Sequence, residues 1–354
     1  MSFVIGRNRG ETVTEPSGRL GSFRALDGSD GAQLYFDCNS PHAVLIVGKR
    51  GYGKSYTLGV IAEELARTAG VAPVLLDPMG TFGTVADSGA DVPARHISEP
   101  AVRPDALDGR SWCQLVGLSP ERGAGALLWQ AAADSGTVAG MREHIQMSAA
   151  PAREQRAATN HIGLADSWGV FDAERGVDVA TLAGGELTVV DLSGLGNDPM
   201  NAVARAIADT LYQARMSATT ARLPWLLVDE AHVFFDGVAA PALETVLTRG
   251  RAPGVSSVYV TQRPTAVPDV AISQSDILVA HRLTSATDIA ALEAIQPTYM
   301  SDSLGDRLPT APGEVLIIDD STETAHTAQI RERVTEHGGH SPTARGPEGT
   351  DRSA

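Results

Sequence analysis

Between the apolar run Ala43-Val44-Leu45-Ile46-Val47 and a helical pattern that starts at Lys54, residues 48–55 read Gly-Lys-Arg-Gly-Tyr-Gly-Lys-Ser. A strand, a loop of the form G-x-x-x-x-G-K-[ST] and a helix, in that order, leave few folds open to the chain, because the loop works only when strand and helix hold it. Its glycines let successive backbone N–H groups turn toward one point. The helix N-terminus adds partial positive charge, and Lys54 would reach the outer phosphates of a nucleotide. Ser55 would place a hydroxyl on Mg²⁺. The candidate nucleotide-binding residues are Gly48, Gly51, Tyr52, Gly53, Lys54, Ser55 and Tyr56. Lys49 and Lys54 are the only lysines in the chain, although arginine is plentiful. Position 54 thus keeps a compact ammonium where basic sites outside the loop use a guanidinium.

The spacing of Leu58, Ile61, Ala62 and Leu65, with Gly70 as a stop, predicts a helix from about Lys54 to Ala69. Val74-Leu75-Leu76-Asp77-Pro78 follows as a short buried strand. Strand, helix, strand is the start of a parallel α/β sheet. Leu187–Asp191, Trp225–Glu230, Val255–Val260, Ile277–Ala280 and Glu314–Ile318 read as further strands, and Asp198-Pro199 as the N-cap and first residue of a helix. Residues 41–330 are expected to form the core. Residues 1–40 would be a short β-rich lead-in containing Gln33–Asp37, 82–182 a mainly helical insertion, and 331–354 a disordered tail.

Well downstream, Trp225-Leu226-Leu227-Val228 runs into Asp229-Glu230. An all-apolar strand covered on both faces and ending in two acids is what ATP hydrolysis asks for at a second place. Asp229 would serve the Mg²⁺ and Glu230 would polarise the attacking water. Gln262, after the strand Val255–Val260, stands where a γ-phosphate sensor belongs, or caps the sheet. Arg249 and Arg251 follow a helix beyond Asp229-Glu230; either an arginine finger or a surface ion pair accounts for them. Asp77 reads as a strand-end acid that caps a turn or lines the nucleotide or pore region, and His232 as a coupling residue or a packed histidine. His337 and His340 in the tail do not make a metal site.

Hydrophobic residues at 43% and charged residues at 20% describe an ordinary globular chain, and no apolar run approaches the roughly 18 residues a membrane helix needs. The start lacks the apolar core of a secretory signal, so the expected location is the cytoplasm. Cys38 and Cys113 lack metal or disulfide spacing and are expected as buried thiols. A net charge of −15 argues against a broad basic surface for nucleic acid. A ring-shaped motor escapes that objection, since it needs only a few cations facing a central pore.

With these pieces in order, the chain resembles the HerA and FtsK branch of P-loop motors, specifically the HerA-type central ATPase domain, over roughly residues 40–320. The blocks that carry the resemblance are Pro41-His42-Ala43 leading into Gly48–Ser55, Leu76-Asp77-Pro78-Met79-Gly80, Val189–Leu195, Val228-Asp229-Glu230-Ala231-His232, Arg249-Gly250-Arg251, Thr261-Gln262-Arg263-Pro264, and Ser273-Gln274-Ser275 leading to Arg282-Leu283. The resemblance implies a RecA-like ASCE core, with a mainly parallel sheet flanked by helices. It also implies a homo-hexameric ring and ATP-driven movement along double-stranded DNA, often beside a nuclease. On it, Lys54 and Ser55 bind phosphate and Mg²⁺, Asp229 and Glu230 serve hydrolysis, Gln262 senses phosphate and Arg251 is the arginine finger. HerA proteins carry a β-barrel ahead of the ATPase that residues 1–40 cannot hold whole, which leaves nuclease pairing through it open. The acidic balance and short front also fit an assembly or regulatory ATPase of a conjugation, secretion or defence complex that moves no DNA. A kinase-like phosphotransferase would not need Asp-Glu followed by a glutamine-bearing strand.

Overall fold

Strands that are apolar on both faces must be covered on both sides, and this requirement organises the molecule. The computed structural model describes residues 3–7, 15–25, 28–87, 89–294, 299 and 303–338. Its strands are β1 (Phe3–Ile5), β2 (Ser17–Arg24), β3 (Asp30–Asp37), β4 (Ala43–Val47), β5 (Val71–Asp77), β6 (Ala94–Ile97), β7 (Leu187–Asp191), β8 (Leu223–Val228), β9 (Ser256–Thr261), β10 (Ile277–Ala280), β11 (Glu314–Asp319) and β12 (Thr324–Ile330). They form one twelve-stranded sheet in the order β1-β3-β2-β12-β11-β10-β4-β9-β8-β5-β7-β6. Every pairing from β10 to β6 is parallel. From β10 out to β3 the pairings are antiparallel, with β1 parallel on β3. The expected α/β core with a mostly parallel sheet is therefore present.

Successive side chains of a strand point to opposite faces, so each central strand feeds two cores. Val44 and Ile46 of β4 pack with Leu58, Ile61 and Leu65 of the helix Lys54–Ala66. Leu45 and Val47 belong to the other face, with the helices Asn197–Met216 and Ala240–Arg249. That face also carries the helices Gly109–Leu115, Gly123–Asp134, Val138–Met147 and Ala152–Asp166, whose Trp112, Leu128, Met141 and Ile162 are fully buried. Cys38 and Cys113 are buried free thiols.

The structure departs from expectation at several places. Residues 1–40, expected as a short β-rich lead-in, carry β1 to β3 where described, and the pairing of β2 with β12 makes them part of the common sheet. Within 82–182, β6 adds an edge strand beside β7. The helix expected to open at Asp198-Pro199 begins at Asn197, capped by Gly196. Proline is tolerated throughout a first turn, where the N–H has no intrahelical partner. The phosphate-loop helix ends at Ala66, three residues short of Ala69. Residues 331–338, assigned to a disordered tail, are ordered against that helix; His340 and the rest of 339–354 lie outside the described residues.

Candidate active site

All the parallel strands point the same way, so β4, β9, β8, β5 and β7 end on one edge of the sheet, where doubly wound folds bind ligands. Leaving β4, the chain turns through Gly51 and Gly53, with φ of +82° and +103°, values that L side chains adopt only under strain. Gly53 then caps the helix Lys54–Ala66. At Gly48 the constraint is space, since a Cβ there would stand 2.5 Å from the Cβ of His281.

A cavity of about 550 Å³ opens on this edge, a size ordinary for small-molecule sites, and its walls include Gly51, Gly53, Lys54, Ser55, Asp229 and Glu230. Lys54 is buried and its Nζ donates to the Lys49 carbonyl at 3.2 Å. Burial pulls the Lys54 ammonium below its usual range, against the pull of Glu230 and Asp229. Ser55 Oγ donates to Asp229 Oδ2 at 2.9 Å, which joins the two distant motifs directly. Burial first, and the Glu230 charge second, push the Asp229 carboxyl up to about 7. Glu230 occupies the left-handed region at φ +45°, rare for a residue with a side chain, and its N–H bonds the Asp229 carboxylate at 2.9 Å. That turn swings the Glu230 side chain to the cavity wall.

Among the described residues, no cluster of three or more His, Cys, Asp or Glu side chains could hold a metal ion unaided. Mg²⁺ on a nucleotide does not ask for one, because phosphates and water supply most of its oxygens. The Ser55 hydroxyl and the buried Asp229 carboxylate, 2.9 Å apart beside a second acid, are hard oxygen donors of the kind it takes.

The other candidates are placed differently. Gln262 follows Thr261, which pairs with Val47 just ahead of the loop, so it stands between the two motifs; the cavity walls are made without it. His232 Nδ1 lies 3.3 Å from Thr261 Oγ1 and 3.4 Å from Glu230 Oε2, linking the strand ends. Asp77 accepts from the N–H groups of Met79 and Phe82 at 3.2 and 2.7 Å and shapes the turn that brings Met79 and Thr81 to the cavity. Tyr52 does not line the cavity; the Arg282 guanidinium lies 5.4 Å from its ring centre. Tyr56 does, and its hydroxyl accepts from the Arg333 N–H at 2.6 Å. Arg249 and Arg251 are exposed, and Arg251 lies beside His42, Gln274 and Asp276 at the strand starts, so neither reaches the phosphate loop of its own chain.

Two buried residues escaped the sequence reading. His281 is fully buried, its N–H donating to Val47 O at 2.8 Å and its Nε2 standing 3.0 Å from Thr57 Oγ1. Burial and the nearby Lys54 drive its imidazole down to about 3, so the loop rests on a neutral ring. Glu63, on the outer part of the phosphate-loop helix, is also fully buried. The quoted block Arg282-Leu283 lay one residue from the first, and nothing in a lone helical glutamate marks the second.

Solved structures share this fold. VirB4 of Thermoanaerobacter pseudethanolicus superposes with a TM-score of 0.66 at 18% identity, covering 91% of this chain and 98% of its own. The bacterial conjugative coupling protein TrwB, lacking its first 70 residues, gives 0.58 at 12% identity over 95% and 97%. The plasmid coupling protein TrwB in complex with ADP and Mg²⁺ gives 0.53 at 14% over 83% and 86%. The core is thus a RecA-like P-loop ATPase fold. No curated protein matches the chain in sequence. Residues 19–211, more than half of the chain, match the model of the helicase HerA central domain, and together with the joined phosphate loop and acidic strand end they make this chain a member of that family.

Proposed function

We propose that the chain is an ATP-hydrolysing HerA-like motor of the cytoplasm that works as a homo-hexamer and moves along double-stranded DNA, with a nuclease as a companion. The observation that carries the hydrolytic part is the 2.9 Å bond from Ser55 to Asp229, with Lys54 and Glu230 on the same cavity wall. In this reading the loop N–H groups and Lys54 hold the phosphates, while Ser55 and Asp229 hold Mg²⁺. Bound there, Mg²⁺ supplies positive charge that offsets the phosphates and the two acids. Glu230, aimed by its left-handed turn, orients a water and takes its proton as that water attacks. Gln262 reports the γ-phosphate to the sheet between the two motifs. Arg251, at the far end of its own sheet, serves a neighbouring subunit. The coupling protein TrwB, of like fold, was solved with ADP and Mg²⁺, which supports the nucleotide and the metal.

Among the described residues no helix is long and apolar enough to cross a membrane. The test is ATPase rate with and without double-stranded DNA across a salt series, with light scattering to size the particle. Stimulation that fades with salt on a hexamer-sized particle, abolished in Lys54→Ala and Glu230→Gln, is the expected result. Hydrolysis indifferent to DNA at every salt would move the assignment to an assembly ATPase. Full activity in Glu230→Gln would remove the base.

A further inference from the structure

The segment after β12 does not leave the molecule. It runs along the phosphate-loop helix, and its Arg331, Glu332 and His337 form part of the wall of the cavity. Its anchor is the buried Glu63. That carboxylate accepts from the N–H groups of Val334 and Thr335 at 3.1 and 3.0 Å and from Thr335 Oγ1 at 2.7 Å, and it pairs with Arg331 at 2.8 Å. Burial pushes the Glu63 carboxyl up, and the Thr335 and Arg331 hydrogen bonds outweigh it and leave it below the usual range. The Arg333 guanidinium fills the space over Gly59, where a Cβ would stand 2.7 Å from Cζ, and the Arg333 backbone N–H donates to the Tyr56 hydroxyl. Farther on, the His337 ring meets Tyr56 edge to face at 5.9 Å, and Glu336 O accepts from Thr84 Oγ1 at 2.9 Å. The segment therefore bridges the end of β12 to Thr84, beyond the turn after β5, and lines the cavity on its way.

The phosphate loop and the acids occupy one end of that cavity, which accounts for the triphosphate and leaves the rest without an assigned ligand group. We propose that residues 331–338 are a strap, latched by Glu63, that walls the base and ribose end of the nucleotide pocket. The proposal rests on the nucleotide reading above. A buried acid on the phosphate-loop helix then has a purpose: the element that cradles the phosphates also holds the element that borders the nucleoside. Tyr56 and His337, the two aromatic rings that line the cavity there, suit a heterocycle better than a phosphate.

The test compares two probes on the full chain, ATP and inorganic tripolyphosphate, which carries the phosphates without the nucleoside. Thr335→Val removes the shortest bond to Glu63, and Glu63→Gln removes its charge. Both are expected to weaken ATP binding about tenfold, the scale of one charge-assisted hydrogen bond, while tripolyphosphate binding changes by less than about twofold. Trypsin, which cuts after arginine, should reach Arg331 and Arg333 faster in both variants. Equal losses for the two probes, or a freed strap with unchanged ATP affinity, would overturn the proposal. So would a strap that stays protected in both variants, because Glu63 would then not be its anchor. Lys54→Ala should weaken both probes; if wild type binds neither, it is the nucleotide reading that fails.

Discussion

Two buried histidines show how neighbours decide the charge a residue carries. His281 is driven neutral under the phosphate loop by burial and by Lys54, which keeps a second positive charge away from that lysine. His42, equally buried at the opposite end of the sheet, has Asp276 Oδ2 at 2.8 Å and Asp37 Oδ2 at 3.1 Å, and Arg7 closes the cluster on Asp37. Burial alone would lower the His42 imidazole; the two carboxylates outweigh it and raise it to about 9 from 6.5. A raised histidine stabilises the fold fully below about pH 6.5 and loses that contribution as pH climbs through about 9. Asp37 works in the opposite sense. Burial pushes its carboxyl up, the bonds from His42 and Arg7 pull it below 3.8, and its contribution is present above that value and lost in acid. Folding stability should thus decline between neutral and alkaline pH by something on the order of 3 kcal/mol from His42. Thermal midpoints read from pH 6.5 to 9.5 should slope downward in wild type and flatten in His42→Gln. An equal slope in the variant would place the titrating group elsewhere.

Among elements, β9 ties the active edge together, since it lies between β4 with the phosphate loop and β8 with the acids. Its fully buried Tyr259 donates to the Leu243 carbonyl at 2.8 Å and so fixes the helix Ala240–Arg249, which leads to Arg251. Tyr259→Phe should lower stability by about 1 kcal/mol in urea unfolding while leaving ATP affinity unchanged, because the helical carbonyl keeps its own partner. An unchanged midpoint would mean that the bond does not hold the helix. The central strands were readable in the sequence because burial on both faces leaves an uninterrupted apolar run, as in Leu226-Leu227-Val228 or Val44-Leu45-Ile46-Val47. Strand β12, Thr-Ala-His-Thr-Ala-Gln-Ile, has one half-exposed face and few apolar residues, and β6 is four residues long with Arg95 and His96 in it. Neither carries a periodic signal, so both were missed. The strap was missed for another reason: its polar residues look like solvated tail until Glu63, 272 positions before Thr335, is seen buried among them. Local pattern reports local structure, and an acid paired across that separation leaves none.

At the scale of the whole molecule, the candidate residues fall in two places. Lys54, Ser55, Asp229 and Glu230 meet on one edge of the sheet, while Arg251 is exposed near the strand starts, the length of the strands away from its own loop. A guanidinium so placed completes a nucleotide site only if copies pack head to tail, the heterologous contact that closes into rings. Complementation tests this directly. Lys54→Ala chains keep Arg251 but lack a working loop, and Arg251→Ala chains keep the loop but lack the donor. Each alone should hydrolyse ATP at least about a hundredfold more slowly than wild type, the lower range for loss of a transition-state cation. In co-expressed mixed particles, half of the chains have a working loop and half of their neighbours keep the arginine, so activity should return to about a quarter of wild type if one neighbour serves each site. Recovery of that size places Arg251 in the neighbour's site. Mixed particles of verified composition that stay inactive would mean that Arg251 acts as a surface ion-pairing residue.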